Sequence, residues 1–323
     1  MRASLAARRR ENPDAALPLL DARGARVILG AQPAAPVAPI APSAFSLFGP
    51  RGACLAAPGG PLLVCDTGHH RLLVWNEVPH TDQAPADLVL GQPDFFSEGR
   101  NAKGDAGPGT LNVPTGVAVC GNVLAVADAW NDRVLLWLGL PRTSNQPADV
   151  ILGEGRLKWP YGVGFHDGRL YVADTGNRRV LVWDTIPRTS ATPPDAVHAE
   201  GLRWPHAIAG AGDRLFIADA GAHRILGGSA PMGEDLSMPY GVAVAGNQLV
   251  VADTANSRLL GFDIGGGRAR TLAGQPTFNH KGDNRWGGVT RDSLCWPYAI
   301  SACGGTLVVA DTGNNRVLLW DLA

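Results

Sequence analysis

The stretch "ADTGNNRVLLW", Ala310 to Trp320, decides how the rest of the chain is read. Its Asp311 and Arg316 enclose Thr-Gly-Asn-Asn, the polar, glycine-bearing chemistry of a tight turn. Apolar runs stand on both sides, "LVVA" before and "RVLLW" after, so the stretch reads as two strands joined by a hairpin. Only Asp321, Leu322 and Ala323 follow. An apolar strand in that position leaves a sheet edge open to pairing, and something is expected to cover it.

The same pattern stands at five earlier places: "CDTGHHRLLVW" from Cys65, "ADAWNDRVLLW" from Ala127, "ADTGNRRVLVW" from Ala173, "ADAGAHRILGG" from Ala218 and "ADTANSRLLGF" from Ala252. Every copy keeps the Asp and Arg five apart: Asp66 with Arg71, Asp128 with Arg133, Asp174 with Arg179, Asp219 with Arg224, Asp253 with Arg258, and Asp311 with Arg316. A third strand precedes each hairpin, opening on a proline in "WPYGVGF" and "MPYGVAVAG", where the missing N–H costs little. A fourth follows some of them, as "ADLVLG" (86–91), "ADVILG" (148–153) and, less cleanly, "ARTLAG" (269–274). Four short strands repeated six times predict an all-β, six-bladed propeller of four-stranded antiparallel blades. The last blade, with strands at 297–303, 306–311 and 316–321, lacks its outermost strand. "ARVILG", Ala25–Gly30, matches "ADVILG" and has no blade of its own. It is expected to complete the last blade and cover the open edge. The domain is therefore expected over 25–323, with 1–24 an irregular extension whose first twenty residues matter little for stability. Blade four has the shortest spacing, and "GGSAPMGEDLS" leaves little room for an outer strand.

The pattern resembles the NHL-repeat family, whose blades carry a Pro-x-Gly-φ-Ala strand followed by an Ala-Asp-x-x-Asn-x-Arg hairpin. The resemblance runs from about residue 45 to the end. "GQPDF" (91–95) and "GQPTF" (274–278) are similar to a bacterial subgroup of that family. It implies the propeller fold and a binding role, and no particular reaction.

Composition narrows the partners. A formal net charge of −1 gives no global attraction to nucleic acid or to an anionic membrane. No apolar run approaches the roughly 18–20 residues of a membrane span. The N-terminal "MRASLAARRRENPDAALPLL" sets its basic cluster after a short Ala/Leu stretch, the reverse of a secretory signal, so the cytoplasm is expected. The five cysteines form no CxxC pair and are expected as buried thiols. A monomer without metal or other cofactor is expected.

Six Asp/Arg pairs resemble chemistry, yet a feature present in every blade most simply does what every blade needs, and the pairs are read as scaffold. Function is expected where the repeat breaks. The loops from an outer strand to the next blade share a face with the Asp/Arg turns, because strand direction alternates. Three are long: 31–48, 92–112 and 275–295. Loops of that length are usually functional or without fixed structure. Arg100, Lys103, His280, Lys281, Arg285 and Arg291 make them basic, with Glu98, Asp105, Asp283 and Asp292 interspersed. That mixture suits protein contact better than phosphate tracking.

The second break flanks the proline at the start of each inner strand. The pairs there are Gly49/Arg51, Val113/Thr115, Trp159/Tyr161, Trp204/His206, Met238/Tyr240 and Trp296/Tyr298. Two readings compete: tryptophans packed between blades with tyrosines plugging the channel, or an aromatic pocket with a polar corner from Arg51, Thr115 and His206. The ligand site is expected among Arg51, Thr115, Trp159, Tyr161, Trp204, His206, Tyr240, Trp296 and Tyr298. Six-bladed calcium-dependent hydrolases place carboxylates in the channel, where this chain has none at the corresponding positions. The amidating lyases of similar propeller type use several histidines around zinc, and only His206 is suitably placed. His69 and His70 are expected as solvated turn residues. No nucleophile–base motif such as GxSxG is present, and no catalytic residue is assigned. The expected function is a binding platform for a protein or peptide on the face with the long loops. A small-molecule enzyme using the channel and single-stranded RNA binding on the same face are the alternatives.

Overall fold

In the computed structural model each hairpin forms as its residues dictate. The residues after the aspartate make one 3-10 turn, as at Thr312–Asn314, and the residue before the arginine closes it in the left-handed region. His70, Asp132, Arg178, His223, Ser257 and Asn315 hold that position with φ between 51° and 60°. The strands on either side stay in register, with Asp311 opposite Arg316 and Leu307 opposite Trp320. The structure describes residues 16–30, 40–153, 155–229, 232 and 235–323. Residues 31–39 of the first long loop, and 1–15 of the extension, lie outside them. No helix among the described residues is long and apolar enough to cross a membrane.

Six sheets form, one per repeat. Blade two shows the pattern: inner strand Pro114–Cys120, then Val123–Asp128, Arg133–Trp137 and outer strand Val150–Leu152, paired antiparallel throughout. Between neighbouring blades lie six apolar clusters. Val64 and Leu73 of blade one meet Val308 and Val317 of blade six in one of them. The smallest, between blades three and four, is built on Tyr171, Val180, Val182, Leu202 and Ile217. Around the axis the inner strands nearly touch. A Cβ on Gly162 would stand 2.0 Å from the His206 carbonyl oxygen, and one on Gly52 would stand 2.2 Å from that of Thr115. This close approach is the physical reason for the glycine two residues after the proline.

The ring closes as the sequence predicts. Val27–Leu29 pairs antiparallel with the last strand, Val27 opposite Leu319 and Leu29 opposite Val317. Two details show that the N-terminal segment replaces a complete piece of blade. In blades one to three the indole closing the third strand donates to a carbonyl nine residues on: Trp75 to Ala84, Trp137 to Gln146, Trp183 to Thr192. Trp320 donates instead to Asp21. Asp87, Asp149 and Asp195 cap a backbone N–H of the third strand's end. At the matching place stands Arg26, whose Nε lies 2.8 Å from the Asp321 carboxylate.

Three expectations need correction. Ahead of the closing strand, Leu17–Pro18 pairs parallel with Thr271–Leu272 as a fifth strand of blade five, and Leu19 and Leu20 are buried. Residues 16–24 are thus ordered and packed. Blade three has an outer strand, Ala196–Ala199, hidden in the sequence because "AVHA" lacks the Val/Ile/Leu run of the other copies. Of the cysteines only Cys65 is fully buried; Cys54, Cys120 and Cys303, on inner strands, and Cys295 are half-buried free thiols. Among the described residues blade four has three strands and, in place of an outer one, a single antiparallel bridge from Met232 to Ile225, in keeping with its short spacing.

Candidate functional site

All six repeat aspartates are fully buried. Each uses one carboxylate oxygen to accept the backbone N–H two residues before the proline of its own blade. The donors are Phe48, Asn112, Lys158, Arg203, Ser237 and Cys295, at 2.6–2.8 Å. The other oxygen accepts the Nε of the paired arginine at 2.6–2.9 Å. The aspartate therefore ties the start of the inner strand to the hairpin, and the turn also reaches the next blade. Thr67, Thr175, Thr254 and Thr312 donate to the carbonyls of Pro114, Pro205, Pro297 and Pro50. These bonds account for the repeated residue types by what they join.

The arginines reach further than the pairs suggest. Arg71 donates to the carbonyls of Phe95, Ser43 and Ser46, Arg133 to those of Gly107 and Thr110, and Arg316 to those of Thr290 and Ser293. Arg258 holds Phe278 and Asp235 in the same way. The three long loops are thereby clamped onto the blade tops. The two glutamines of the "GQP" motifs add to the clamp: Gln92 donates to the Gly99 carbonyl and Gln275 to that of Gly282, each at 2.8 Å.

The face carrying these loops is also where the exposed aromatic surface lies. Phe45, Phe48, Phe96, Trp130, Trp159, Trp204, Trp286 and Trp296 are the exposed Phe and Trp residues. Phe45, Phe48, Phe96 and Trp286 belong to the long loops, Trp130 to a hairpin turn, and the other three precede inner-strand prolines. By strand direction every one of these places is on the same face. Trp286 is 83% exposed and Phe96 77%.

The residues expected to line one pocket divide into two groups. Those after the prolines converge on the axis as a continuous stack. Tyr161 lies parallel to His206 with ring centroids 5.0 Å apart, His206 meets Tyr240 at 4.3 Å, and Tyr240 meets Tyr298 at 4.5 Å. The Arg51 guanidinium sits 4.9 Å from the Tyr298 ring centre. Thr115 is buried and donates to the Tyr161 carbonyl. Burial, reinforced by the charge of Arg51, pushes the His206 pKa down to about 3, so its imidazole is neutral; burial also pushes the Tyr240 hydroxyl up. The tryptophans before the prolines, Trp159, Trp204 and Trp296, stand apart from this stack, on the surface. Their backbones take positive φ, as do Gly49, Val113 and Met238 at the same place.

His69 is not solvated. It is fully buried, with Nδ1 2.7 Å from the Asp66 carboxylate and Nε2 2.8 Å from the Ile40 carbonyl. It takes the place of Asn177 or Asn314, which donate to the aspartates of their own blades. His70 accepts the Val113 N–H, joining blade one to blade two, as His223 joins four to five.

The NHL repeat family matches residues 236–262, a span that runs from the start of blade five's inner strand to the end of its hairpin. Residues 236–262 match an NHL repeat, and they are one blade of a six-bladed propeller. No curated protein matches the sequence. Among solved structures, the propeller is similar to one from Kuenenia stuttgartiensis hydrazine synthase, with a TM-score of 0.55 and 13% identity over 91% of this chain and 99% of that one. It is also similar to a structural-genomics protein of unknown function from Bacteroides thetaiotaomicron, with a TM-score of 0.53 and 12% identity over 87% and 71% of the two chains. At these identities the likeness shows the fold alone.

Phe45, Phe48, Phe96, Trp130 and Trp286 were not among the residues singled out from the sequence. The available signal was that each interrupts a polar turn or loop with a large apolar side chain, where the repeat places none.

Proposed function

We propose that this propeller is a binding platform whose partner, a protein or peptide, docks on the face bearing the long loops. The observation that carries the reading is the collection of all the exposed Phe and Trp side chains on that one face, while the remaining tryptophans, Trp75, Trp137, Trp183 and Trp320, are buried in the blades. Scattered single apolar residues on a surface need no explanation, but one face that collects the aromatic ones marks an interaction site. The loops that present them are clamped by buried arginines, so little ordering entropy is lost on docking. The ring stack forms the floor of this face. Tyr161 and Tyr298 are half-buried there, and with Arg51 they offer a flat apolar wall and a cation to an inserted side chain. Replacing Trp130 and Trp286 together by alanine is expected to abolish capture of the partner from extracts of the native host, with the circular dichroism of a folded propeller unchanged. Replacing Tyr161 and Tyr298 by alanine tests the floor in the same assay. Undiminished capture by the tryptophan double variant would contradict the proposal.

A further inference from the structure

Among the described residues, the loop face over blades three and four lacks the cover it has elsewhere. In blades one, two, five and six the repeat arginine is at most 7% exposed, because backbone carbonyls of the overlying segments accept its N–H groups. Arg179 in blade three keeps one such carbonyl, that of Arg156, and is 31% exposed. Arg224 in blade four is 50% exposed and, among the described residues, has no partner but Asp219. Four further cations surround these two: Arg156, Lys158, Arg178 and Arg203, all exposed and without an acidic partner among the described residues.

Hydrogen bonds make this one continuous strip. Gly176 of blade three's turn donates to the Lys158 carbonyl, Arg178 exchanges bonds with Leu202, and Ala220 of blade four's turn donates to the Trp204 carbonyl. Trp159 and Trp204 are exposed along it, with the Lys158 ammonium 5.3 Å from the Trp159 ring centre.

We propose that an extended acidic segment of the partner protein lies across blades three and four, in the place that the chain's own loops occupy over the other four. The inference rests on the loop face being the docking face and names the chemistry of what docks. Carbonyl and carboxylate oxygens of the segment complete the hydrogen bonding of Arg179 and Arg224, as loop carbonyls do for the other arginines. Its acidic side chains pair with Lys158 and Arg203. Its proline or aromatic residues stack on Trp159 and Trp204. A peptide fits better than a nucleic acid for two reasons. In five blades of this molecule a peptide carbonyl accepts from the arginine. Along the strip, Asp132, which accepts the Trp159 N–H, and Glu200 stand among the cations; a strand charged at every nucleotide meets them, whereas a peptide can keep neutral residues there.

The test is fluorescence anisotropy on the full chain. The probe is a labelled peptide of about 12 residues alternating Glu and Pro around two tyrosines, compared with its Glu→Gln counterpart and with an oligouridylate of equal length. The acidic peptide is expected to bind best, and Lys158→Glu with Arg203→Glu to weaken it about tenfold. Arg224→Lys, which keeps the charge but loses the planar fork, is expected to weaken it less. Equal binding of the acidic and neutral peptides, or tighter binding of the oligouridylate with a steep salt dependence, overturns the inference. A captured native partner separates it from the reading beneath. If the complex survives the double reversal but is lost on replacing Trp130 and Trp286, the strip is wrong and the face stands. If neither change matters, both fail.

Discussion

At the scale of single residues, one carboxylate with two duties explains the repeat. The aspartate holds the inner strand with one oxygen and the arginine with the other, and the arginine's remaining N–H groups decide how much loop is held above. The cost of losing an arginine should follow its burial. Arg316→Ala strands the fully buried Asp311 and releases Thr290 and Ser293, for an expected loss of about 3 kcal/mol in chemical denaturation. Arg224→Ala, at a half-exposed site, is expected to cost about 1 kcal/mol. Equal losses would mean that the loop carbonyls contribute nothing. His206 supplies a pH test. It is neutral in the fold with a pKa of about 3, against an ordinary value of 6.5, so between those two values the unfolded chain binds more protons. Its contribution is intact above pH 6.5 and is lost as pH falls toward 3, by roughly 3–5 kcal/mol in all. Comparing unfolding of the native chain and His206→Phe from pH 7 to pH 4 should show that slope reduced in the variant. His69 has the opposite sign. Burial works against its charge, but the bond to Asp66 outweighs burial and raises its pKa, so its contribution is full below pH 6.5 and fades as pH rises through the raised value.

At the scale of elements, the closing strand is the weak seam of the ring. Removing residues 1–30 deletes the partner of Val317–Leu319 and the acceptor of the Trp320 indole. The shortened chain is expected to melt at a lower temperature and to associate through the exposed edge at 316–321, both measurable by calorimetry and light scattering. Removing 1–20 takes away the buried Leu19 and Leu20 and is expected to cost stability without opening the ring. The seam was legible in the sequence because "ARVILG" repeats "ADVILG" and because the outer strand takes the same length and register in blades one, two and six. The strand Ala196–Ala199 was not, since its pairing is dictated by the neighbouring Val180–Val182 and not by its own residues. The fifth strand at Leu17–Pro18 was hidden for the same reason: two residues carry no periodicity. Buried His69 was missed because a turn position looks solvated until the loop above it, here at Ile40, is placed. In the candidate site, the side on which the prolines and their aromatic neighbours lie followed from strand alternation. Whether a given ring stacks on the axis or stands outside depended on the positive φ of the residue before each proline, which no residue type there announces.

At the scale of the whole molecule, the two faces of the ring differ in kind. One carries the short turns between first and second strands, such as Gly121–Asn122 and Asp167–Gly168, and the connections from third to outer strands, such as 76–87, 138–149 and 184–195, with no exposed Phe or Trp among the described residues. The other carries the clamped loops, the exposed aromatic side chains and the ring stack at its centre. On the proposed reading the propeller works by geometry: the blades fix the spacing, the arginines fix the loops, and the loops present the contacts. The most direct test is photo-crosslinking. A photoreactive amino acid is placed at Trp130, Trp204 and Trp286 on the loop face, and at Asn122 and Asp167 on the other, and each variant is irradiated in extract from the native host. Cross-links to one common partner from the loop-face positions, with none from Asn122 or Asp167, are the predicted result. Cross-linking that is confined to Asn122 and Asp167, or that is equal from both faces, would contradict it.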